Sequence, residues 1–77
     1  MIEVYRTSNC GDCIRTVAFL KEKKVELKEI FVSGNEEAIK KVKEINGGFA
    51  SVPTLIFDDG STMTEPSNEE LIEKLGL

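Results

Sequence analysis

The chain has 77 residues, 40% of them hydrophobic and 31% charged, with a formal net charge of −4. That is the size of one small domain, read here as a single unit over residues 1–77, near the low end of what folds alone on a hydrophobic core. The acidic balance excludes the basic face that a nucleic-acid partner needs, and no stretch is apolar for long enough to cross a membrane.

Taken in chain order, Ile2 to Tyr5 alternates like a strand, with Ile2 and Val4 on one face. The chain has only two cysteines, and they follow at once in Cys10-Gly11-Asp12-Cys13. A helix is expected from about Gly11 to Lys24, burying Ile14, Val17, Ala18 and one of Phe19 or Leu20. Lys21-Glu22-Lys23-Lys24 reads as its solvated end, with positive charge suited to a helix C-terminus. Val25 to Val32 is a second strand, parallel to the first, because a strand–helix–strand unit implies that pairing.

Ser33-Gly34-Asn35-Glu36 has the spacing of a capping box. It opens a second helix with Ala38/Ile39, Val42 and Ile45 on its core face, ended by Asn46-Gly47-Gly48. Thr54 to Phe57 and Thr62 to Thr64 are two further strands, joined by the turn Asp58-Asp59-Gly60-Ser61. Pro66-Ser67-Asn68-Glu69-Glu70 opens a third helix with another Ser-x-x-Glu box. Leu71, Ile72 and Leu75 form its apolar face, and Gly76 closes it. The order β-α-β-α-β-β-α gives an α/β fold with a four-stranded mixed sheet and three helices.

The cysteine pair carries the chemistry. A Cys-x-x-Cys where a strand gives way to a helix reads as a dithiol redox centre. The thiolate is the nucleophile, and a helix N-terminus offers it unpaired N–H groups and the positive end of the dipole. Cys10 sits at that N-terminus. Cys13 lies one turn inward on the same face, within reach of a small disulfide ring. Two other readings stay open. A structural zinc site wants four N or S ligands. With no His and no further Cys, one chain supplies half of that, so a metal would have to be shared between two chains. A purely structural disulfide closing so short a loop removes little entropy from the unfolded state. With no signal-peptide pattern ahead of the first strand, the expected setting is cytoplasmic, where a disulfide is usually catalytic.

Pro53 stands between Val52 and the strand from Thr54. A strand-start proline is the plain reading; a cis bond that exposes the backbone of Val52 to an extended substrate is the sharper one. Cys10 to Cys13, Ser51-Val52-Pro53-Thr54 and the element order together resemble a glutaredoxin, the smallest form of the thioredoxin fold. The mycoredoxin group is particularly similar. Its Tyr-x-x-x-x-Cys-Gly-x-Cys, Asn-Gly-Gly, Val-Pro-Thr, Asp-Gly-Ser and Pro-Ser segments read here as Tyr5 to Cys13, Asn46-Gly47-Gly48, Val52-Pro53-Thr54, Asp59-Gly60-Ser61 and Pro66-Ser67.

The resemblance implies a thiol–disulfide oxidoreductase with no cofactor and no bound metal, acting as a monomer. Cys10 would attack, Cys13 would resolve, and the bond before Pro53 would be cis. Ser67 and Asn68 fall where glutaredoxins hold a carboxylate of their small thiol. Its partners would be disulfide-containing proteins and, as electron source, a low-molecular-weight thiol or a flavoprotein reductase. Two positions differ from the family pattern. Thr7 stands where glutaredoxins commonly carry a Lys or Arg, and Thr64-Glu65 replaces a Gly-Gly, so weak use of glutathione is expected. The alternatives are an electron donor dedicated to one enzyme, such as ribonucleotide reductase, or a metal-bridged homodimer.

Overall fold

Strand β1 (Ile2–Arg6) runs through the middle of the sheet, and the computed structural model describes the whole chain, residues 1–77, around it. The other elements are α1 (Gly11–Glu22), β2 (Leu27–Phe31), α2 (Glu36–Ile45), β3 (Thr54–Ile56), β4 (Thr62–Thr64) and α3 (Asn68–Leu75). The sheet order is β2-β1-β3-β4. β1 pairs parallel with β2, Ile2 opposite Leu27, and antiparallel with β3, Val4 opposite Leu55. β3 and β4 form the antiparallel hairpin, Leu55 opposite Met63. The expected α/β architecture is present.

Alternation along the strands splits the core in two. Ile2, Val4, Leu55 and Phe57 face Val17 and Leu20 of α1 and Leu71 of α3. Tyr5 faces the other way and packs with Val32, Ala38 and Val42, the last two from α2. The sheet is thus covered by α1 and α3 on one side and by α2 on the other. At the central strands both faces are dry, as sheets with helices on each side require.

Four expectations need correction. The buried stripe of α1 is Cys13, Thr16, Val17 and Leu20, spaced i, i+3, i+4, i+7. Ile14 is 52% exposed and Ala18 is also on the outside. One residue is a 100° turn of a helix, so choosing Cys13 for the inward face rotates Ile14 and Ala18 out. α1 ends at Glu22, two residues early, because Lys24 takes a left-handed φ of 60°. Helix α2 is not capped by the Ser33–Glu36 box. Asn35 is the N-cap, and its side chain accepts the Ala38 N–H at 3.1 Å. In α3 the Ser67–Glu70 box forms in full and Gly76 adopts the left-handed C-terminal conformation, but Ile72 is exposed and Leu71 alone is fully buried.

Candidate active site

The loop after β1 delivers Cys10 to the start of α1, where it is the N-cap residue with extended backbone. Its sulfur accepts the Cys13 backbone N–H at 3.1 Å, so it fills the place that a Ser or Asp oxygen usually takes at a helix start. The S–H of Cys10 points to the Val52 carbonyl, 3.9 Å away. Both thiols are free; Cys10 is half-buried and Cys13 has no exposed surface.

The two sulfurs therefore differ in surroundings. Burial pushes the Cys13 thiol up to about 11, and its hydrogen bond and charge interaction with Cys10 act in the same direction. A hydrogen bond from the Thr7 backbone works against that, as does the Arg6 charge more weakly. At neutral pH Cys13 is a protonated thiol held one turn behind a half-buried partner.

Pro53, fully buried, seats the other wall of the site, and the Val52–Pro53 peptide is cis. Val52 is half-buried beside Cys10. The Pro53 carbonyl accepts the Glu65 N–H at 2.8 Å, which ties this wall to the end of β4. Glu65 itself is exposed and sits at φ 51°, in the left-handed region. An L-residue is costly there and Gly is not.

A cleft between α1 and α3 is lined by Asp12, Arg15, Glu65, Pro66, Ser67 and Asn68, with Glu69 and Glu70 at its rim. Ser67 and Asn68 thus lie in the same cleft as Asp12, one of the two residues between the cysteines. Their side chains are already engaged. The Ser67 hydroxyl accepts the Glu70 N–H, and the Ser67 N–H donates to the Glu70 carboxylate at 2.9 Å. Asn68 Oδ1 accepts from Arg15, whose other terminal nitrogen donates to the Pro66 carbonyl at 2.9 Å. The backbone N–H groups of Asn68 and Glu69, at the start of α3, have no intramolecular partner. Arg6, the other cation near the dithiol loop, is buried and pairs with Glu29 at 2.8 Å while its guanidinium lies over Phe31.

The sequence pattern of the Glutaredoxin family matches residues 2–61. The chain belongs to the glutaredoxin family. Relatives cover nearly its whole length. A glutaredoxin-type protein of Mycobacterium tuberculosis is 39% identical over 74 residues, 96% of this chain and 88% of its own. Mycoredoxin 1 of Corynebacterium glutamicum is 34% identical over 74 residues, 96% of this chain and 91% of its own. The crystal structure of a glutaredoxin from Archaeoglobus fulgidus superposes with a TM-score of 0.80 at 32% identity, covering 96% of this chain and 84% of that one. The chain is accordingly a glutaredoxin-type thiol–disulfide oxidoreductase on a thioredoxin-like fold. No helix is long and apolar enough to cross a membrane.

Three residues around this glutaredoxin's site make contacts that the sequence did not show. Arg15 bridges α1 to α3, a contact that needs the two helices packed side by side. Thr16 is fully buried on the Cys13 face, and its hydroxyl has no partner. Asn46 reads in sequence as a helix end, yet its side chain joins α2 to both β3 and β4. For Asn46 the available signal was its place ahead of the Gly-Gly that leads to Val52 and Pro53.

Proposed function

We propose that this glutaredoxin reduces protein disulfides, or mixed disulfides between a protein and a small thiol, with Cys10 as nucleophile and Cys13 as resolving thiol. The observation that carries the reading is the asymmetry of the pair: a half-buried Cys10 whose sulfur accepts a helix N–H, and a fully buried Cys13 directly behind it. Cys10 attacks one sulfur of the substrate disulfide, forming a Cys10–substrate bond and releasing the other substrate sulfur as a thiol. Cys13, on losing its proton to solvent or to the departing sulfur, attacks Cys10. The Cys10–Cys13 bond forms, the Cys10–substrate bond breaks, and two electrons have passed to the substrate.

Val52 borders the attacking sulfur, and its N–H has no partner within the molecule. It is suited to pair with the backbone of an extended substrate segment, Pro53 forming the wall beneath. The free N–H groups of Asn68 and Glu69 are suited to a carboxylate of the recharging thiol, with the Ser67–Glu70 box holding the helix start in place. The carboxylates of Asp12, Glu65, Glu69 and Glu70 around them favour a recharging partner less anionic than glutathione, either another low-molecular-weight thiol or a flavoprotein reductase, in a reducing compartment such as the cytoplasm. The burial of Cys13 weighs against a metal shared between two chains, since that sulfur would have to be uncovered first.

The test is trapping. Cys13→Ser should accumulate a stable Cys10–substrate adduct, detectable as the summed mass, and Cys10→Ser should form none. Adducts on Cys13 in the Cys10→Ser protein would reverse the two roles.

A further inference from the structure

The segment from Phe49 to Val52 lies between the end of α2 and the buried Pro53, and none of its four backbone N–H groups finds a partner in the molecule. Phe49 is 71% exposed, so side-chain packing does not fix that end of the segment either. Yet Val52 must be held steady if its backbone is to meet a substrate beside Cys10. One polar network supplies the hold. The Asn46 amide nitrogen donates to the Val42 carbonyl at 2.9 Å and to the Thr54 hydroxyl at 3.0 Å. The Thr54 hydroxyl in turn donates to the Ser51 carbonyl at 2.7 Å, and the Thr64 hydroxyl donates to Asn46 Oδ1.

Proton counting makes the arrangement specific. Thr54 is fully buried, so its hydroxyl is held to protein partners. Its single proton goes to Ser51, which leaves only acceptor capacity towards Asn46. An NH2 group must therefore face it, which leaves the carbonyl oxygen of the same amide to accept from Thr64. Asn supplies both. Asp would set a carboxylate oxygen against two acceptors, and Ala would leave the Thr54 oxygen and the Thr64 hydroxyl short of a partner.

We propose that Asn46 is a positioning residue for the reaction: through Thr54 it clamps the Ser51 carbonyl and so sets the Val52 backbone at the distance from Cys10 that an extended substrate requires. The inference rests on the reading above that Val52 pairs with substrate backbone. Asn46 touches neither the thiols nor the substrate. Its effect reaches only substrates that use Val52.

Single-turnover reduction by the chemically reduced protein tests this, with two oxidants. One is a quenched fluorescent peptide disulfide with extended residues on both sides of its cysteine. The other is dipyridyl disulfide, which has no peptide backbone. In Asn46→Ala and Thr54→Val, the half-saturating concentration of the peptide should rise roughly threefold to tenfold, the worth of one ordinary hydrogen bond. The rate with dipyridyl disulfide should stay within about twofold of the parent, and Thr54→Ser, which keeps the hydroxyl, should restore peptide binding. Equal losses with both oxidants, or no loss with the peptide, would overturn the proposal. If Asn46→Ala fails to fold, the Thr54→Val and Thr54→Ser pair decides alone. A peptide with an alkene in place of the backbone amide beside its cysteine, which removes the carbonyl that would accept the Val52 N–H, separates the two levels. If this replacement leaves binding to the parent protein unchanged, the Val52 pairing itself is wrong. If the replacement weakens binding while the Asn46 and Thr54 variants do not, the pairing stands and the clamp is wrong.

Discussion

If Cys13 resolves the mixed disulfide as proposed, its buried position should make that second step steeply pH-dependent. Its thiol is raised from 9.0 to about 11, chiefly by burial. A raised thiol is protonated below that value, so the attacking thiolate is scarce at pH 7 and grows tenfold with each pH unit. Relative to an ordinary thiol, two pH units amount to about a hundredfold less thiolate at pH 7. In the mixed disulfide Cys10 is bonded to substrate and is no longer a free thiol beside Cys13, so its share of the rise disappears while the larger share, burial, persists. The step should therefore accelerate roughly tenfold per pH unit from pH 7 to pH 9. An aromatic disulfide that releases thionitrobenzoate twice reads both steps in one stopped-flow trace: the first release reports attack by Cys10, the second resolution by Cys13. Cys13→Ser should keep the first release and lose the second. A second phase that is flat between pH 7 and pH 9 would refute the argument, because it would mean that Cys13 is already ionised or that its ionisation does not limit the step.

Two further outcomes follow from single residues. Thr16 buries a hydroxyl with no partner on the Cys13 face of α1; Thr16→Val removes that unmet polar group at nearly constant volume and should stabilise the protein by about 1 kcal/mol, measured as a higher urea midpoint, whereas a lower midpoint would show that the hydroxyl is satisfied in solution. Glu65 occupies a left-handed backbone position and adds a carboxylate to the cleft between α1 and α3; Glu65→Gly relieves both and should raise glutathione-dependent turnover severalfold, an exposed charge being worth about 0.2–1 kcal/mol, and efficient glutathione turnover in the unmodified protein would show that these carboxylates do not select the reductant.

Much of this molecule is legible in one dimension because its signals are local. Strand alternation at Ile2 and Val4, the Ser67–Glu70 box and the closing Gly76 are decided by neighbours a few residues away, and all three stand in the structure. Cys10 and Cys13 are legible for the same reason: a helix start and a spacing of one turn are enough to place one sulfur at the helix end and a second one turn inward.

What sequence could not decide depends on which face of an element meets a distant one. Ile14 and Ala18 are as apolar as the residues that replace them inside α1; only docking against the sheet shows that Cys13 and Thr16 turn inward. The cap of α2 passed from the expected box to Asn35, whose side chain accepts the Ala38 N–H. The reach of Arg15 to Pro66 and Asn68, and that of Asn46 to Thr54 and Thr64, join elements far apart in the chain. Such hydrogen bonds leave no periodic trace, because their partners are fixed by sheet order and helix packing rather than by spacing along the chain. The sequence by itself determined the dithiol, its outer and inner sulfur and the order of elements; the tertiary structure alone decided how completely Cys13 is buried and what holds the wall opposite the pair.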